Sequence, residues 1–172
     1  DMEVKIKSRF STSINLSTGQ LVDPAYSSFL SSFAAQHGIE NRRIMLEVTE
    51  DRLMENIAEG RENLARLKES GFMIAIDDFG KGFSSLTYLA ELPADILKLD
   101  MVFTRSVPGD SRKEAMVHHI IELAHSLDLR VIAEGFETLE QFEFFRNLGC
   151  DLFQGYYFAR PMPLDLLITK YL

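Results

Sequence analysis

An incomplete TIM-like (β/α) barrel is the fold class this sequence predicts, and three observations predict it. Apolar, strand-like runs alternate with helix-like stretches along the chain. Six of those runs end on an amide, a carboxylate or a lysine: Asn15, Glu47, Asp77-Asp78, Lys98, Glu134 and Gln154. Alternation within the runs puts bulky aliphatics on one face and leads up to the polar group on the other: Met73, Ala75 and Asp77 oppose Phe72, Ile74 and Ile76, and Ile96 and Lys98 oppose Leu97 and Leu99. In a barrel of this type the chemistry gathers where C-terminal strand ends meet the βα loops. An open doubly wound sheet would confine it to a switch point and use fewer strand ends. Six polar strand ends favour the barrel.

Taken in order, residues 1–10 alternate enough for a strand but carry no obvious site group. A strand ending at Asn15 follows. The next helix starts near Asp23-Pro24, a cap residue followed by a proline in the first turn, and runs to Gly38. A strand over about 44–48 gives way to a helix at 57–69, closed by Gly71 in the position after the C-cap. Strand 72–77 leads into the glycine-bearing loop 78–86. A short helix 84–91, strand 95–99, a long helix 111–127, strand 130–134, helix 138–147, strand 151–154 and a last helix 163–171 complete the pattern. Met45 and Met73 read as barrel filling. His118, His119 and His125 fall on the long helix, where exposure or capping is expected of them. A closed barrel of this type needs eight strands and roughly 250 residues, against six units in 172 residues. Residues 1–172 are therefore expected to form a single partial domain, the C-terminal two-thirds of a barrel, with no linker dividing it.

Composition excludes several function classes. A net charge of −8 argues against a DNA or RNA polymer as partner, because polymer binding needs a basic face to neutralise phosphates. A small anionic ligand is compatible, since bound cations neutralise carboxylates locally. The single Cys150 rules out an internal disulfide and fits a reducing compartment. No run approaches the ~20 apolar residues of a membrane span, and Asp1-Met2-Glu3-Val4-Lys5 lacks the apolar centre of a signal peptide. A cytoplasmic location is expected, with a membrane-anchored parent allowed.

The strand-end set supplies hard oxygen ligands suited to Mg²⁺ or Mn²⁺. Zinc would favour histidine or cysteine, and no histidine lies in the set. Two adjacent aspartates let one of them bridge a pair of ions ~3.5–4 Å apart, the arrangement that activates water and stabilises an in-line phosphoryl displacement. Lys98 could hold a phosphate oxygen or the attacking water, and Glu134 could serve the second ion or accept a proton.

The strings that carry these groups are Ser13-Ile14-Asn15-Leu16-Ser17, Leu46-Glu47-Val48-Thr49-Glu50, Asp77-Asp78-Phe79-Gly80-Lys81-Gly82-Phe83-Ser84-Ser85-Leu86, Leu97-Lys98-Leu99-Asp100, Ala133-Glu134-Gly135-Phe136-Glu137-Thr138 and Gln154-Gly155-Tyr156-Tyr157-Phe158. In order and spacing, from about residue 11 to 163, the chain resembles the EAL-domain family. The resemblance implies a cyclic-di-GMP phosphodiesterase that opens the cyclic dinucleotide to linear pGpG with two Mg²⁺ or Mn²⁺ ions. By motif position it makes Asn15, Glu47 and Asp77 ligands of one metal, and Asp77, Asp78 and Glu134 ligands of the second, with Glu134 also a general base. Lys98 would contact the attacking water or the scissile phosphate, and Gln154 the substrate. Glu50 matches the anchor of the loop 79–86, through which the family links dimerisation to metal-site order, so a homodimer is implied. Asp100 and Glu137 match supporting positions. An upstream sensor or GGDEF cyclase domain in the parent protein is expected.

Two departures accompany the match. Glu-Ala-Leu, the signature that names the family, does not occur in the 172 residues, and Lys81 stands where the family usually has a small hydroxyl residue. A module that binds cyclic di-GMP without cleaving it is the alternative. Such a sensor would be expected to have lost ligands among Asn15, Glu47, Asp77 and Asp78, and all four are present.

Overall fold

The protein is described here by a computed structural model, which describes residues 10–55, 57–80 and 86–171. Residues 1–9, which hold nearly all of the strand expected within 1–10, and the loop residues 81–85 lie outside these. Six strands, β1 (Thr12–Asn15), β2 (Ile44–Thr49), β3 (Met73–Phe79), β4 (Ile96–Leu99), β5 (Arg130–Glu134) and β6 (Leu152–Gln154), pair in chain order. Every pairing is parallel. Helices join the strands throughout, as parallel pairing requires. The result is an incomplete TIM-like barrel, a wall of six parallel strands among the described residues.

Helices α1 (Thr18–Val22), α2 (Tyr26–Gln36), α3 (Glu50–Glu55), α4 (Ile57–Glu69), α5 (Leu86–Glu91), α6 (Met101–Thr104), α7 (Ser111–Ser126), α8 (Leu139–Asn147) and α9 (Leu164–Tyr171) complete the described elements, with a 3₁₀ turn at Asn41–Arg43. The strands and long helices fall where the sequence places them. The helix expected near Asp23 begins later, because Asp23 Oδ1 accepts the Ala25 N–H at 2.9 Å and forms a turn before α2. Gly71 closes α4 as expected: its φ of 93° is open to glycine, and its N–H reaches the Lys68 carbonyl at 2.9 Å.

Period-2 alternation divides the sheet into two chemistries. Leu46, Val48, Ile74, Ile76, Leu97, Leu99, Val131 and Ala133 point outward into one continuous core beneath the helices. Ala75, Ile96 and Ile132 form a second, smaller cluster on the concave face, with Met45 and Met73 packed against it. The methionines thus fill the barrel interior as anticipated. Two residues further along each strand, on the same face, come Glu47, Asp77, Lys98 and Glu134. The apolar layer forms the floor of the site, and the polar groups stand on it.

Candidate functional site

The register builds the polar layer. Asn15 on β1 lies directly across from Glu47 on β2, and Glu134 on β5 from Gln154 on β6. Between them, Lys98 projects from β4 and is 4% exposed, and Glu47 is 6% exposed. The Lys98 ammonium is the centre of the arrangement. Its Nζ lies 3.0 Å from Glu47 Oε2, 2.9 Å from Asp77 Oδ1 and 2.9 Å from Glu134 Oε1. No two of those oxygens can be further apart than twice the longest contact. Residues spread over 88 positions of sequence thus share one pocket-sized volume at the C-terminal rim.

Charge shapes this cluster. Burial, the largest single influence on Lys98, disfavours its ammonium, but hydrogen bonds to Glu134, Asp77 and Glu47 outweigh it and hold its pKa above the ordinary lysine value. Burial pushes the Glu134 carboxyl up; Lys98 pulls it back, while Asp77 and Glu47 push it further upward. With all three acids ionised, three negative charges face one positive charge. The remaining formal charge of −2 suits one divalent cation. The donors are carboxylate oxygens, the class that Mg²⁺ and Mn²⁺ select. The residues present fit such ions: Glu47, Asp77 and Glu134 already converge on a cation, and Asn15 adds an amide oxygen across from Glu47.

Asp77 and Asp78 are adjacent, and strict alternation would send them to opposite faces. The β3–β4 register is broken between Ile76 and Phe79, and Asp78 has a φ of 59°, which non-glycine residues seldom adopt. A bulge of this kind redirects side chains, and such bulges concentrate near functional sites. It removes the parity objection to both aspartates serving one rim.

Beside the cluster, Met101, Arg105, Glu134, Gly135, Glu137, Gln154, Gly155 and Tyr156 line a cleft of ≈ 190 Å³. This space admits part of a ligand rather than a whole dinucleotide. Glu137 and Gln154 thus share one cleft with Glu134. Asp100 caps α6 by accepting the Val102 N–H at 2.9 Å. It caps the helix that brings Met101, and Arg105 just after its end, to the cleft. The wholly buried Thr104 donates its hydroxyl to the Glu134 carbonyl. Gln141 in turn donates to the Thr104 carbonyl at 3.1 Å and accepts the Glu137 N–H at 2.9 Å. Gly155 permits the closest approach: any Cβ there would run into the Phe136 backbone nitrogen and oxygen.

Residues 2–161 match the family profile of the EAL domain. The chain belongs to the EAL domain family. Among curated relatives, cyclic di-GMP phosphodiesterase NbdA of Pseudomonas aeruginosa is 47% identical over 132 residues, covering 77% of this chain and 17% of the relative. The chain spans about a fifth of the length of the curated relatives it matches. The solved PaMucR phosphodiesterase, a c-di-GMP complex, superposes with a TM-score of 0.86 at 36% identity, covering 96% of this chain and 68% of that one. A manganese and cy-diGMP complex of Klebsiella pneumoniae BlrP1 superposes with a TM-score of 0.82 at 33% identity, covering 88% of this chain and 39% of that one.

Within this EAL domain, Arg105, Met101, Tyr156, Thr104 and Gln141 are the site neighbours that the sequence reading overlooked. Tyr156 was signalled by its place two residues beyond Gln154. Arg105 was signalled only by being one helical turn past Met101, on a helix too short to show periodicity. Glu50 opens α3 immediately after β2; most of the loop it was expected to anchor lies outside the described residues. No described helix is long and apolar enough to cross a membrane.

Proposed function

We propose that this EAL domain hydrolyses cyclic di-GMP to linear pGpG at a two-metal site occupied by Mg²⁺ or Mn²⁺. The observation that carries the reading is the convergence of Glu47, Asp77 and Glu134 on Lys98 Nζ within 3.0 Å, with a formal excess of negative charge. Asn15, Glu47 and Asp77 would hold the first ion, and Asp77, Asp78 and Glu134 the second. Bound there, the ions supply charge neutralisation for the phosphodiester and a more acidic water.

The chain's own groups do the rest. Glu134, whose pKa is raised by burial, accepts the proton of the attacking water. Lys98 keeps its proton, since its pKa is raised, and holds the water or a phosphate oxygen in line. The water oxygen bonds to phosphorus, one P–O3′ bond breaks, and the released O3′ takes up a proton, giving pGpG. Gln154 and Glu137 orient the nucleotide in the cleft beside Glu134. Glu50 anchors the loop over 79–86, and a homodimer transmits its order to the metal site.

The domain serves as the output of a bacterial second-messenger protein acting in the cytoplasm, with an upstream sensor or GGDEF domain in the same chain. The short span relative to its matches supports a multidomain parent. The test is Mg²⁺-dependent conversion of cyclic di-GMP to pGpG by the full-length protein, beside Glu134→Ala and Lys98→Ala. Turnover by the wild type that both variants lose supports the reading. Tight binding without turnover would assign the chain to a non-catalytic cyclic-di-GMP sensor instead.

A further inference from the structure

Helix α7 carries a second set of potential ligands, on the outer side of the helical layer. Val117, Ile121 and Ala124 on this helix are buried in the core. His118, His119 and Glu122 lie exposed. At about 100° per residue, Glu122 falls between the two histidines in azimuth, so one carboxylate can reach both rings. It does so here: His118 Nε2 is 3.6 Å from Glu122 Oε1, and His119 Nδ1 is 3.2 Å from Glu122 Oε2. One ligand atom from each of the three residues lies within 4.8 Å of the other two. Among the described residues no other trio of histidine, cysteine, aspartate or glutamate meets that condition. The strand-end carboxylates are spread around the Lys98 ammonium instead.

The geometry points to a transition-metal site on the surface of α7, in which His118, His119 and Glu122 bind a borderline divalent cation, zinc foremost. Zinc bonds imidazole nitrogen and carboxylate oxygen at ~2.0–2.2 Å, so tetrahedral neighbours stand ~3.3–3.5 Å apart. The 3.2 and 3.6 Å contacts bracket that spacing. The contacts run to different oxygens of Glu122, and rotation of these exposed side chains brings both nitrogens and one oxygen onto a common ion. Two imidazoles and one carboxylate leave a fourth position open to water. Mg²⁺ is the wrong occupant, because it prefers oxygen donors in an octahedron. The two sites are therefore chemically separate: oxygen donors at the strand ends, imidazoles on the helix. This inference does not rest on the phosphodiesterase reading and stands if that reading fails.

The test is calorimetric titration of the full-length protein with Zn²⁺ in saturating Mg²⁺, for the wild type, His118→Gln/His119→Gln and Glu122→Gln. The same set in an Asp77→Asn background keeps the strand-end site out of the count. The wild type is expected to take up one more Zn²⁺ equivalent than the double histidine variant in both backgrounds, and Glu122→Gln to weaken that equivalent at least ~10-fold. The substitutions sit on an exposed helix face, and an unchanged melting temperature checks that folding is intact. Equal zinc uptake and affinity in wild type and double variant would overturn the site. So would loss of the equivalent in Asp77→Asn with α7 unaltered.

Discussion

Lys98 Nζ and Glu134 Oε1 lie 2.9 Å apart across β4 and β5, an ion pair in which burial opposes both charges. Each charge favours the ionised form of the other. The same ammonium also serves Glu47 and Asp77. Without added ions, Lys98 is thus the cation around which three strand ends are organised.

Replacing it therefore affects stability as well as chemistry. Lys98→Met leaves the buried Glu47 and the partly buried Asp77 and Glu134 without their counter-charge, which costs about 3–5 kcal/mol in buried pairs broken at one partner. Urea unfolding in EDTA should show that loss, and added Mg²⁺ or Mn²⁺ should restore part of it. An unchanged midpoint in EDTA would contradict the role given to the ammonium.

The raised Glu134 pKa sets a pH dependence. In the metal-free folded state Glu134 keeps its proton at a pH where the unfolded chain, at its ordinary value of 4.5, has released it. The folded state thus binds more protons across that window, and Glu134's contribution to stability falls as pH rises through it. Glu134→Gln removes this part of the slope. Unfolding titrations of the two proteins from pH 4 upward check it, and parallel curves would count against it.

Gly155 should tolerate no side chain. In Gly155→Ala the added methyl meets the Phe136 backbone, which cannot give way as a side-chain tip can. A cost of about 1–3 kcal/mol is expected, with Gln154 displaced from the cleft. Affinity for cyclic di-GMP should fall while Mn²⁺ affinity at the other strand ends is retained. Wild-type nucleotide affinity in this variant would refute the positioning.

Burial pushes the Cys150 thiol up to about 12. At pH 9 the native protein should alkylate with iodoacetamide at least ~100-fold more slowly than the urea-unfolded chain, from lost thiolate alone at tenfold per unit. Comparable rates in the two states would show that the thiol is not enclosed.

Much of this site was legible because strands enforce a period of two. Once Met45, Met73 and Ile96 are read as inward, Glu47 and Lys98 must be inward as well, and the structure puts them there. Polar residues at strand ends marked the rim without any knowledge of distances. What the sequence concealed is short or non-local. α1 spans five residues, α3 six and α6 four, too few for hydrophobic periodicity to show. The capping box of Ser17 and Gln20 was the one local sign of α1. The bulge at Asp77-Asp78 has no local sequence signal; it arises where the β3 register meets β4. Thr104 falls between strand 95–99 and helix 111–127, where the sequence pattern assigns no element, and only the fold brings its hydroxyl to the Glu134 carbonyl.

The central claim is that Glu47, Asp77 and Glu134 form one cation-binding rim. Mn²⁺ calorimetry on wild type and Asp77→Asn tests it most directly, because Asp77 would bridge both ions. Two equivalents for the wild type, with uptake at the strand ends abolished by the substitution, is the predicted result. Undiminished Mn²⁺ stoichiometry and affinity in Asp77→Asn would contradict the claim.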